Sequence, residues 1–175
     1  MHTSPCCPAK LLPVKPPIKH ALHWSLAACA IGLVLPSLII FCLEIFVGHI
    51  PPLTSLADIL RRQFAAGHNL FLLAAFGLIP FAALSLVCFI ASRWLSPSRL
   101  TCVAGGGLLG ILLLMIPAHV AVWYPLYGGG HLSSTAVIAF VFIPFYCLAT
   151  LGIGLIIGWL ISRLPRFSSP TSPAF

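Results

Sequence analysis

Glu44 and four histidines, His49, His68, His119 and His131, are the residues whose types and placement could do chemistry in this sequence. Glu44 lies about one helical turn inside the end of a long apolar run, where a charge is costly and finds a partner, faces water or takes up a proton. The histidines come from the ends or starts of the apolar runs on that same side. A bundle that gathers those ends would suit proton or cation handling, with Glu44 and a histidine sharing the charge. Histidine and carboxylate are also ligands for Zn, Cu or Fe, and a histidine pair can hold haem iron. No two of the four have the i, i+4 spacing that plants two ligands on one helix face, so no metal or other cofactor is assigned. Histidines at loop edges can equally be solvated.

Enzymatic constellations are sparse. The only acids are Glu44 and Asp58, and a paired-carboxylate site does not follow from one acid in an apolar run and one in a connecting segment. Ser133 or Ser134 beside His131 lacks the tight turn that presents an activated serine and reads better as a helix N-cap. No catalytic residue is expected. Seven cysteines contain no Cys-x-x-Cys pair, and five of them fall in or beside apolar runs, where a thiol behaves as a small hydrophobe.

The elements that must position these groups follow from composition. Of 175 residues, 60% are hydrophobic and 6% charged, with a mean hydropathy of +1.11. A soluble domain carries roughly a quarter charged residues. A bilayer core about 30 Å thick takes about 20 apolar residues of helix. Four segments meet that length: 22–47, 69–92, 101–123 and 133–161. The expected fold is an all-α membrane protein, a four-transmembrane-helix bundle occupying 22–163, with proline-rich tails at 1–21 and 164–175. The first run exceeds a signal-peptide core and lacks an Ala-x-Ala cleavage site, so it is read as a membrane helix.

Basic residues set the orientation. Lys10, Lys15, Lys19, Arg93, Arg99, Arg163 and Arg166 fall on one side of that topology, and only Arg61 and Arg62 on the other. The positive-inside rule then puts both termini in the cytoplasm (N-in/C-in), most simply of a bacterial inner membrane. On the outer side, residues 54–66 read as a short interfacial amphipathic helix, capped by Thr54 or Ser55 with Asp58 in its first turn. Leu56, Ile59, Leu60 and Phe64 recur along it at helical spacing.

Small residues mark where helices approach. Gly106 and Gly110, and Gly154 and Gly158, are G-x-x-x-G pairs at comparable depth, and Gly32 lies in a small-residue stretch of the first span. Such faces let backbones pack closely in lipid, within the chain or between copies. Each span also holds a proline, Pro36, Pro80, Pro117 or Pro144, which removes a backbone donor and can bend the helix. "LIPF" in the second span and "FIPF" in the fourth hint at an internal repeat. In "WYPLYGGGHLSS", Trp123, Tyr124 and Tyr127 read as an interfacial aromatic belt, Pro125 as the end of the third span and the glycines as a loose turn.

The expected role is a non-enzymatic accessory, assembly or structural subunit. Its partners would be the lipid bilayer and a second copy or a larger membrane complex, and no nucleic acid. A small oligomeric transporter or channel using Glu44 and nearby histidines is the alternative, and a metal- or haem-binding subunit a third.

Overall fold

The computed structural model describes residues 18–64, 69–130 and 136–164. These form six helices: α1 (Ile18–Phe46), α2 (Pro52–Arg62), α3 (Leu70–Gly77), α4 (Ile79–Ala91), α5 (Pro97–Tyr127) and α6 (Ala136–Ser162). Among them are four stretches long and apolar enough to cross a membrane: Lys19–Phe46, Leu70–Ala91, Pro97–Tyr127 and Phe140–Ser162. The shortest has 22 residues, and at 1.5 Å per residue it reaches roughly 33 Å, enough for the hydrocarbon core. The chain is therefore a small all-helical integral membrane protein.

Helix α1 buries one continuous face, Ala21, Ser25, Ala28, Gly32, Leu35, Ile39 and Leu43. The steps of three and four residues keep that face turned inward along its whole length. It packs on α3, α4 and α5, while α5 and α6 form the most extensive pairing in the bundle. Large apolar side chains cover the outside, Leu113, Phe46 and Leu26 among them, at 77%, 75% and 62% exposure. In water that surface would be untenable; against lipid it is the ordinary exterior.

Helix ends depart from the sequence expectations in definable ways. The expected cap of α2 at Thr54 or Ser55 is incorrect: the N-cap is Pro51, three residues before Thr54, with Pro52 in the first turn, which also puts Asp58 mid-helix. Proline fits an N-terminus because its missing N–H would have no partner there. Pro125 does not end the third span, since α5 continues through it to Tyr127. The glycines beyond are an ordered stop. Gly129 adopts φ +81°, and the Gly130 N–H donates to Pro125 O at 2.8 Å, the hydrogen bond of a Schellman cap. Trp123 belongs to no belt: it is 8% exposed and packs on Phe140 at 5.2 Å between ring centroids.

Prolines act unequally. The second span is interrupted at Leu78, two residues before Pro80, whereas α1, α5 and α6 run through Pro36, Pro117 and Pro144 unbroken. The two halves of the apparent "IPF" repeat are thus built differently. Asn69 caps α3, its side-chain oxygen accepting from the Leu72 amide at 2.8 Å.

Candidate functional site

The one acid within the spans is also the most elaborately held side chain. Glu44 sits in the last turn of α1, and the chain reverses just beyond it. Ile50 N–H donates to Glu44 O at 3.0 Å, and a Cβ on Gly48 would come within 2.9 Å of that same carbonyl oxygen. His49 takes φ +52°, the left-handed region, and points into the open. A histidine tolerates that conformation better than a branched residue would. The turn sends α2 back across the end of the bundle.

Ser55, Ile59 and Arg62 lie at i, i+4 and i+7 of α2, so they share one face. Ser55 and Ile59 are buried and Arg62 partly so. The Ser55 hydroxyl donates to Glu44 Oε2 at 2.5 Å, and Arg62 Nη1 donates to Oε1 at 3.2 Å in an ion pair. From the last residue of α5, the Tyr127 hydroxyl donates to Oε1 at 3.1 Å. Glu44 itself is 0% exposed, while the Arg62 side chain keeps 37% of its surface open. One carboxylate therefore ties three helices together, with a donor on each oxygen and a cation beside it. Gln63 adds a tie, its amide donating to Ser37 Oγ on α1 at 3.3 Å.

The rotation of α2 that this requires turns its apolar ridge away from the bundle. Leu53, Leu56, Leu60 and Phe64 are 83%, 48%, 64% and 76% exposed. Of the apolar positions read as one stripe, only Ile59 faces inward.

The histidines take separate places. His119 is 2% exposed, its Nδ1 within 3.0 Å of Met115 O and its ring 6.0 Å from Phe140. A carbonyl can only accept, so Nδ1 is the donor in this contact. His119 and His49 are not among the hydrogen-bond partners of Glu44, while His68 and His131, with Ser133 and Ser134, lie outside the described residues. Among the described residues, no three His, Cys, Asp or Glu side chains gather as metal ligands would. No family model matches the chain, and neither a curated protein nor a solved structure matches it.

The small-residue positions meet within the chain. Gly106 lies against the backbone of Gly154 and Gly158, Gly110 against Thr150 O, and Gly158 against Cys102 O, so a Cβ at any of them would collide with the facing helix. Gly32 abuts the Phe81 ring on α4. Gly105 is different, with nothing within 4 Å of an added Cβ.

Sequence reasoning missed Ser55, Arg62 and Tyr127 as partners of Glu44. A signal was present. A donor and a cation on one face of a helix, beside the one acid within the spans, are the groups a buried carboxylate requires.

Proposed function

We propose that the protein is a non-enzymatic accessory, assembly or structural subunit of a larger membrane complex or a homo-oligomer, N-in/C-in, with α2 at the outer interface. The observation that carries this reading is the engagement of Glu44 by Ser55, Arg62 and Tyr127. An acid with donors on both oxygens and its own counter-cation acts as a fastener, which fits a protein whose work is to hold a shape. The exposed ridge of α2, with Thr54, Asp58 and Arg61 on a third face, supports a helix embedded sideways at headgroup depth. Gentle solubilisation followed by mass measurement tests the proposal: it expects a partner or a further copy to co-purify. A monomer with nothing attached would overturn it.

A small oligomeric transporter or channel is the second reading, favoured by His119, an ionisable group buried inside α5. Ion or proton flux in liposomes separates the two. Flux that is lost on Glu44→Gln favours transport, and no flux above empty liposomes favours the subunit.

A further inference from the structure

The geometry points to a phospholipid site in the groove between α5 and α6, with an acyl chain along the groove and an anionic headgroup at the α5 N-terminus. The groove encloses about 460 Å³ and extends from Leu113 and Thr150 to Thr101 and Ile161. Its two threonine hydroxyls are spent within their own helices, Thr101 Oγ1 on Pro97 O and Thr150 Oγ1 on Cys147 O, both at 3.1 Å. What remains is a hydrocarbon wall with Leu109 and Ile153 exposed on opposite rims at 61% and 58%.

A second copy fits this groove poorly. Four of its five glycines, Gly106, Gly110, Gly154 and Gly158, are already in contact across α5 and α6, which leaves Gly105 alone open to a foreign helix. A slender, flexible chain fits, and in a bilayer that chain is an acyl tail.

The mouth of the groove supplies the charge. Arg99 precedes Cys102 by three residues and Gly106 by seven, in register with the groove-facing column, and it is exposed. Helix α5 begins at Pro97, and the side chain of its N-cap Ser96 bonds none of the first-turn amides. Those amides and the positive end of the helix dipole favour a phosphate. Arg93 lies in the preceding turn. The only two acids, Glu44 and Asp58, belong to the opposite end of the bundle, where Tyr127 closes α5. Positive charge thus stands unopposed where a headgroup would lie.

The test is native mass spectrometry of the full-length protein in mild detergent after exposure to mixed phosphatidylglycerol and phosphatidylcholine micelles. The wild type should retain one phosphatidylglycerol per chain in preference to phosphatidylcholine. Arg99→Gln should lower that preference roughly 5-fold, the effect of one basic residue near an anionic surface. Gly105→Leu fills the groove where an added Cβ meets nothing, and should abolish retention of both lipids at unchanged helix content. Equal retention of the two lipids by wild type, no retention at all, or undiminished retention by Gly105→Leu would overturn the site. So would a wild-type dimer that Gly105→Leu turns into monomer, since that assigns the groove to a second copy. Should Gly105→Leu fail to fold, the exposed Arg99→Gln decides alone, and an unchanged preference overturns the proposal.

Discussion

At the scale of single residues, the Glu44 fastener is asymmetric, and the asymmetry is measurable. Glu44 has no access to water, whereas Arg62 keeps more than a third of its side chain exposed. Removing Arg62 strands a buried carboxylate with two neutral donors; removing the charge of Glu44 leaves a guanidinium that can swing to solvent. Arg62→Met should therefore cost about 2–3 kcal/mol, below the full penalty of a wholly buried pair, and Glu44→Gln distinctly less. The double variant should recover most of the Arg62→Met loss, because a neutral amide needs no cation. Unfolding followed by circular dichroism in micelles checks the order. Equal losses for the two single variants would refute the asymmetry. Tyr127→Phe removes one charge-assisted hydrogen bond and should cost about 1–2 kcal/mol in the same assay.

At the scale of elements, the glycines on α5 and α6 divide by what faces them. Gly110→Ala and Gly154→Ala would drive a methyl into the backbone of the opposite helix, which has no side chain to move aside. The helices must separate, and dispersion contacts along the tightest pairing in the bundle weaken. Gly105→Ala and Gly152→Ala add a methyl to open space and gain helix propensity of up to about 1 kcal/mol. The first pair should lower stability and the second should leave it unchanged or raise it; a uniform effect across all four would mean that the close approach does not stabilise the fold. The sequence made the existence of these elements legible because spanning a bilayer demands a local property, a run of apolar residues of fixed length. Their ends were less legible. Helix α5 passes through Pro125, and the Gly128–Gly130 cap supplies the true stop. The fastener was illegible for a different reason: whether Ser55 caps α2 or bonds Glu44 depends on how α2 rolls against the bundle, and that is settled by its packing on α1 and by Tyr127 of α5, far away in the chain.

At the scale of the whole molecule, the crossings fix relations between sites that are independent of which side is which. The α1–α2 turn and the α4–α5 turn are separated by one spanning rod, α3 with α4, so residues at the two turns must face opposite sides of a membrane. His49 and Ser96, both exposed, are suitable reporters. Each introduced as a single cysteine, after replacement of the native ones, should react with a membrane-impermeant maleimide from one side only, and from opposite sides. The proposed N-in/C-in orientation predicts which: Arg93 and Arg99 flank Ser96, and the positive-inside rule favours the cytoplasm for such a loop. His49→Cys should therefore label in intact cells and Ser96→Cys only after the membrane is opened. Labelling of both in intact cells would break the four-span topology, because the rod between them would not cross. The reverse pattern would keep the fold and invert the protein, turning the α2 ridge and the Glu44 fastener toward the cytoplasm.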